Sequence, residues 1–157
     1  MATTQITRAV IDDAEAILAL QRLAYQCEAQ RYSDYSLPPL TETLSQLQQE
    51  FDRSVFLKAI GIDGICGSVR ARDDGTTCFI GRLIVHPTRR RRGIATRLMA
   101  EIEASFPYVA RYELFTGYKS QGNLELYDKL GYRVFREDQP EQGPKLVFLE
   151  KLREPMA

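Results

Sequence analysis

The stretch Leu83-Ile84-Val85-His86-Pro87-Thr88-Arg89-Arg90-Arg91-Arg92-Gly93-Ile94-Ala95-Thr96-Arg97-Leu98 constrains this chain more than any other. An apolar run of strand character ends at a proline, which has no N–H to give to a sheet ladder. A basic turn follows, and a Gly-x-Ala step opens a segment with the spacing of an amphipathic helix. Such a turn leaves several backbone N–H groups unpaired at the start of a helix, all pointing one way. Those donors, the positive end of the helix dipole and the adjacent guanidinium groups suit a phosphate or pyrophosphate.

The rest of the composition narrows the class. The 157 residues fit one domain, long enough to bury roughly two-thirds of the surface the unfolded chain exposes. Acidic and basic residues balance at 21 each, so no global attraction to nucleic acid or to an anionic membrane is expected. The positive charge is instead concentrated in Arg89–Arg92, which matches a compact polyanion better than a long one. No apolar run reaches the ~18 residues of a membrane span. The opening Met1-Ala2-Thr3-Thr4-Gln5 lacks the charged start and apolar block of a secretory leader. Cys27, Cys66 and Cys78 are odd in number and lack metal-ligand spacing. They read as reduced thiols packed as small apolar groups, in a cytoplasmic protein that binds no metal.

No repeat or low-complexity linker divides the chain. A strand is expected at Gln5–Ala9, then a helix capped by Asp12 and Glu15 with Ile17, Leu20, Ala24 and Cys27 on its apolar face. Pro38 and Pro39 forbid its continuation, and Thr41 can cap a second helix carrying Leu44, Leu47 and Phe51. The period then changes to strands at 54–60 and 64–72 around the turn Gly61–Gly64, and at 76–85 after Asp73-Asp74-Gly75. Ile94, Leu98 and Ile102 lie four apart in the third helix, with Arg97, Glu101 and Glu103 on the outer face. A strand at 111–116, a helix at 121–130 stopped by Gly131, and strands at 132–136 and 145–152 complete the chain. The order β-α-α-β-β-β-α-β-α-β-β gives an α/β chain with a mixed sheet and helices on both faces.

By itself an arginine run reads equally as a solvated patch or a nucleic-acid contact. The strand before it and the helix after it favour a ligand loop. With those flanks in place, Arg90-x-x-Gly93-x-Ala95 resembles motif A of the GNAT superfamily of acyl-CoA-dependent N-acetyltransferases, whose signature is Arg/Gln-x-x-Gly-x-Gly/Ala. The segment Gly117-Tyr118-Lys119-Ser120-Gln121-Gly122-Asn123-Leu124-Glu125-Leu126-Tyr127-Asp128-Lys129-Leu130-Gly131-Tyr132 is similar to motif B, with its core Leu-Tyr-x-Lys-x-Gly-Phe/Tyr. The likeness covers about Phe79–Arg136 and is only topological before that.

The resemblance implies a GNAT-like fold over 1–157 in which the strand ending at Leu83 and Val85 splays from the strand at Tyr112–Thr116. It implies that acetyl-CoA is the cofactor. Its pantetheine arm would lie on the backbone of Leu83 and Val85. The amides of Arg90, Arg91, Arg92, Gly93, Ile94, Ala95 and Thr96 would hold the pyrophosphate, with Arg90 and Arg91 as side-chain contacts and Arg89 left at the surface. The N–H of Val85 or a neighbour would polarise the thioester carbonyl. Tyr127 would protonate the departing thiolate, since a phenol near pKa ~10 and a thiol near ~8.5 can share a proton. The alternative for Tyr127 is an ordinary core aromatic beside Leu126 and Leu130.

Two positions depart from the family. The asparagine expected seven residues before the tyrosine is Ser120, for which Asn123 can substitute or join in capping the helix. The place of the family's strand glutamate is held by Phe79, near Gly81. A water chain, Glu28, Asp34 and Glu113 therefore all stand as routes for the amine's proton, while His86 is expected to face solvent. The loop Tyr32–Leu40 either lines an acceptor pocket, with Asp34 facing an ammonium, or packs on its own domain or a second subunit. The leading expectation is direct acetyl transfer to a primary amine in a ternary complex, since Cys78 lies far from the Val85 end of its strand. The alternative is a CoA-binding sensor with little catalysis. Nucleic-acid and membrane partners are not expected, and a homodimer is compatible with the C-terminal strands.

Overall fold

The computed structural model describes residues 4–153. Met1–Thr3, on which part of the leader argument rests, lie outside the described residues.

The strands are β1 (Gln5–Arg8), β2 (Val55–Gly61), β3 (Gly64–Asp73), β4 (Thr77–Val85), β5 (Arg111–Gly117), β6 (Arg133–Asp138) and β7 (Leu146–Leu152). They form one sheet in the order β1-β2-β3-β4-β5-β7-β6. Every pairing is antiparallel except β4 with β5. The helices are α1 (Ala14–Ala24), α2 (Gln26–Tyr32), α3 (Pro38–Thr41), α4 (Leu44–Glu50), α5 (Ile94–Ala104) and α6 (Gln121–Lys129).

Alternation along the strands divides the core between two faces. Leu57, Val69, Ala71 and Ile80 pack with Leu98, Met99 and Ile102 of α5. On the other face Phe56 meets Ile17 and Leu18 of α1 and Leu47 of α4. The helix α5 lies close on β3 because Gly67 has no side chain. A Cβ there would stand 3.1 Å from Leu98 Cδ1, 3.2 Å from Ile94 Cγ2 and 3.2 Å from the carbonyl of Ile84. The mixed sheet, its strand order along the chain and the splayed pair match the sequence expectations.

Four local details differ. The first helix breaks at Tyr25 (φ −85°, ψ 0°), so Cys27 leaves the apolar face and is exposed while Cys66 and Cys78 are buried. Asp13, not Asp12, closes the first turn, accepting from the Val10 N–H at 2.9 Å and facing Lys58 at 2.9 Å. Thr43, not Thr41, caps α4, accepting from the Gln46 N–H while Gln46 Oε1 accepts from the Thr43 N–H. Glu103 does not face solvent, because its carboxylate accepts from Tyr132 Oη and Lys151 Nζ, each at 2.9 Å.

Candidate functional site

The site begins where the sheet comes apart. β4 and β5 pair only at Thr77↔Arg111, Cys78↔Tyr112 and Phe79↔Glu113. β5 stays with β7 to Gly117 and β4 stays with β3 to Val85, so from Ile80 onward the two diverge and β4 has a free edge. A bulge shapes that edge. Ser68 pairs Ile84 and Arg70 pairs Gly81, so Arg82 and Leu83 together face Val69, and Arg82 takes φ +51°. A bulge of this kind bends the strand and re-aims the residues beyond it.

Arg82 is held by a part-buried charge cluster. Glu42 accepts from Arg70 at 3.0 Å and from Gln21 Nε2 at 2.9 Å, and it lies 3.7 Å from Arg82 Nε. Burial alone would raise the Glu42 carboxyl, but Gln21 and the two guanidinium groups hold it below the usual carboxylate range. Burial lowers Arg82, and its Nε has no hydrogen-bond partner among the described residues.

Beyond β4, Pro87–Arg89 make one turn of 3₁₀ helix, capped by the His86 ring, whose Nδ1 accepts from the Thr88 N–H at 3.2 Å. Arg91 (φ +65°) and Gly93 (φ +79°) then bend the loop into α5. The first helical bond runs from the Arg97 N–H to Gly93 O at 3.0 Å. The N–H groups of Arg90–Thr96 donate to nothing among the described residues. Consecutive donors in a left-handed turn form an anion-binding concavity. A Cβ on Gly93 would meet no atom of the protein, so glycine is required there by its backbone angle.

A cavity of about 250 Å³ lies in the split and gathers Leu83, Val85, Arg90, Ala95 and Asn123 of the predicted set. Glu28, Tyr25, Cys27 and Arg31 close it from the α1–α2 side. Arg90 crosses it, donating to Ala24 O at 3.1 Å and lying 3.5 Å from Cys27 Sγ. Arg91, Arg92, Gly93 and Thr96 are exposed and do not line the cavity, while the Ile94 side chain is buried in the core. Arg89 pairs with the exposed Asp63 and takes no part. Asn123 donates to Thr116 Oγ1 at 3.2 Å.

Ser120 and Tyr127 are both buried and do not line the cavity. Ser120 is fully buried, and its hydroxyl donates to Glu28 Oε2 at 2.6 Å and lies 2.8 Å from Tyr32 Oη. It joins α2 to the loop before α6 instead of lining the cavity. Tyr127 is buried against Tyr132, ring centroids 5.9 Å apart. Burial, aided by Tyr25 and Glu28, holds its phenol well above the usual range. Its proton is therefore held more tightly than expected from the sequence.

A second basin of about 430 Å³ lies on the far side of that junction, lined by Tyr32, Asp34, Tyr118, Lys119 and Lys145. Asp34 accepts from the Ser36 N–H and hydroxyl, bonds that keep its carboxyl below the usual range. Glu113 sits at the closed end of the split, bound to Arg111 at 2.9 Å.

Sequence reasoning missed two residues. Cys27 lines the cavity because the helix breaks before it. Gly117 ends β5 where a Cβ would fall 2.0 Å from Tyr32 Oη. A glycine closing an apolar strand was the available signal for such a close approach. Among the described residues no cluster of His, Cys, Asp or Glu could hold a metal, and no helix is long and apolar enough to cross a membrane.

The family model for the acetyltransferase (GNAT) domain matches residues 52–134. No curated protein is recognisably similar in sequence. The structure is similar to the PaiA N-acetyltransferase of Thermoplasma acidophilum, solved in complex with coenzyme A, with TM-score 0.80, 17% identity, and 96% of this chain and 99% of that one covered. It is also similar to the ribosomal-protein-S18-alanine N-acetyltransferase of Escherichia coli, with TM-score 0.79, 11% identity, and 99% and 97% covered.

Proposed function

This chain belongs to the GNAT acetyltransferase family, and from that premise we propose that it moves an acetyl group from acetyl-CoA directly to a primary amine in a ternary complex. The acceptor is carried by a small molecule or by a peptide or protein. The observation that carries this reading is a conjunction: the free edge of β4 at Ile80–Val85 leads straight into the unpaired N–H groups of Arg90–Thr96. A strand edge suits the amide-bearing pantetheine arm as an added strand would, and the concavity beside it suits a diphosphate. That a structurally similar enzyme was solved with coenzyme A supports the same donor here.

In this reading acetyl-CoA is a substrate, gripped by Leu83 and Val85 along its arm and by Arg90–Thr96 at its phosphates. Arg90, already anchored on Ala24, lies along the cavity wall. A backbone N–H near Val85 is aimed at the thioester carbonyl and stabilises the oxyanion as it develops. The basin beside Asp34, whose retained charge attracts an ammonium, is where the acceptor first docks, and its nitrogen must enter the split to react. Nitrogen attacks the carbonyl carbon, the C–S bond breaks, and the thiolate takes a proton, a role the family resemblance gives to the Tyr127 phenol. Cys78 is not a nucleophile in this scheme, since burial pushes its thiol up to about 12 and it lies where the strands are still paired.

The test is thiol release from acetyl-CoA against a panel of primary amines, with CoA affinity measured by calorimetry. Thiol released with at least one amine, and CoA binding weakened at least tenfold by Gly93→Val, is the expected result. A chain that ignores CoA refutes the reading. One that binds CoA but releases no thiol is the sensor instead.

A further inference from the structure

The cavity and the basin are separate openings with no lining residue in common. What an acceptor meets at the point of reaction is therefore decided by the walls of the cavity. One wall is the β4 edge at Leu83 and Val85, and the opposite one is α2, with Glu28 and Arg31. Among the described residues Glu28 is the only carboxylate that lines the cavity, and Arg31 and Arg90 are its only cations. Arg90 is bound to Ala24 O. Glu28 and Arg31 pair with each other.

The two members of that pair are held very differently. Glu28 is fixed from behind, where the buried Ser120 hydroxyl donates to Oε2 at 2.6 Å and itself lies 2.8 Å from Tyr32 Oη. Ser120 takes one carboxylate oxygen and Arg31 the other, so Glu28 keeps lone pairs to spare. Arg31 has no hydrogen-bond partner but Glu28 among the described residues, and its side chain is 40% exposed. The pair can thus open from one end, the guanidinium swinging while the carboxylate stays. A surface pair one helical turn long adds little to stability, so opening it costs little.

Resting on the acetyl-transfer reading, we propose that the acceptor is a small zwitterion, an α-amino acid or a compound with a carboxylate equally close to its primary amine, and that Glu28 and Arg31 recognise it together. Glu28 takes the ammonium, across the cavity from Leu83 and Val85, and Arg31 turns to the acceptor's own carboxylate. Charge balance carries the argument. A simple amine would set a second cation against the one carboxylate that Arg31 already uses, and would bind only by leaving Arg31 unpaired. An amino acid brings the missing anion with it, so one ion pair becomes two. The planar guanidinium suits a carboxylate, which it can hold by two parallel bonds. The position suits the chemistry as well. Burial, then Tyr25 and Glu28, raise the Tyr127 phenol, so the charge of Glu28 reaches the side chain that the family resemblance assigns to the departing thiolate.

The experiment measures thiol release from acetyl-CoA with matched acceptors: free α-amino acids, their carboxamides, and the amines that lack the carboxyl carbon. The unaltered chain is compared with Arg31→Gln, Arg31→Lys and Glu28→Gln, with calorimetry for CoA affinity and thermal melting as a check on folding. Losing a hydrogen bond between charged partners costs about 10- to 100-fold. The unaltered chain should favour the acid over its carboxamide by about 10-fold or more in kcat/KM, with the difference in KM. Arg31→Gln should bring the acid down to the carboxamide, Arg31→Lys should keep part of the preference, and Glu28→Gln should raise KM for every acceptor. Equal rates with acid and carboxamide overturn the proposal and leave acetyl transfer standing. So does an Arg31→Gln variant that still prefers the acid, or thiol release confined to peptides or diamines. No thiol release with any amine brings down the acetyl-transfer reading, and this inference with it.

Discussion

Gly117→Ala isolates the contact on which the separation of the two openings depends. Gly117 is not in the left-handed region, so the backbone accepts alanine, and in a strand the change by itself is worth about 0.5–1 kcal/mol of stability. The obstacle is Tyr32 alone, with Oη 2.0 Å, Cζ 2.4 Å and Cε2 2.9 Å from the added Cβ. The ring must leave. Overpacking of this kind costs about 1–3 kcal/mol. The departing phenol also loses its bonds to Ser120 and Lys119, each worth about 1 kcal/mol net. The net destabilisation expected is about 2–4 kcal/mol, a fall in Tm of roughly 5–15 °C for a chain this long. Chemical denaturation of Gly117→Ala, Tyr32→Ala and the pair checks it. With Tyr32 already removed, alanine at 117 should be neutral or stabilising, giving a coupling of at least about 2 kcal/mol. Additive single effects would refute the reasoning, because they would mean the ring does not occupy that place.

Tyr127→Phe should lower kcat while leaving acetyl-CoA binding nearly unchanged, as steady-state kinetics with calorimetry will show. A change in binding alone would mark Tyr127 as packing. Cys27→Ser should keep kcat within about threefold, and intact mass after incubation with acetyl-CoA should show no added acetyl group, since direct transfer needs no thiol. Glu42 is held below its ordinary range, so it stabilises the fold above the unfolded carboxyl pKa near ~4.3 and loses that contribution as pH falls through its lower folded value. Melting curves from pH 7 down to pH 2 should therefore converge between the unaltered chain and Glu42→Gln at the acid end, with the unaltered chain more stable near neutrality.

The elements whose signals lie within a few residues were legible. α5 was delimited by Gly93 and by apolar residues four apart, and the turn at Gly61–Gly64 is where β2 and β3 pair. Caps were read one or two residues early, at Asp12 for Asp13 and Thr41 for Thr43. Several side-chain oxygens stand in a row at both places, and only the path of the chain decides which meets an N–H. The break at Tyr25 carries neither glycine nor proline. What holds α2 there is far away in sequence, with Tyr32 and Ser120 88 positions apart. The same distance hid the second use of Ser120. Motif spacing placed it on the cofactor, whereas its partners come from a helix that carries no motif. Motifs thus fixed where the loop and the strand edge lie, whereas the docking of one helix against a loop had no local signal.

Between Ile80 and Thr96 the chain carries three local costs at once. Arg82 sits in the left-handed region, where a non-glycine residue costs of order 1–3 kcal/mol and persists only if its surroundings over-determine it. Here Glu42, fixed by Gln21 and Arg70, supplies that hold. The free β4 edge is a template for unwanted pairing, and the amides of Arg90–Thr96 lack partners within the protein. Any one of these has an ordinary structural explanation. In the proposed reading, their sequence along one segment is accounted for by an extended ligand that is strand-like along its length and anionic at one end. The first part satisfies the edge, the second satisfies the amides, and the bulge sets the angle between them. Relaxing Arg82 by Arg82→Gly should therefore do opposite things to stability and to carrier binding: it relieves the backbone strain but frees the angle on which both halves of the grip depend.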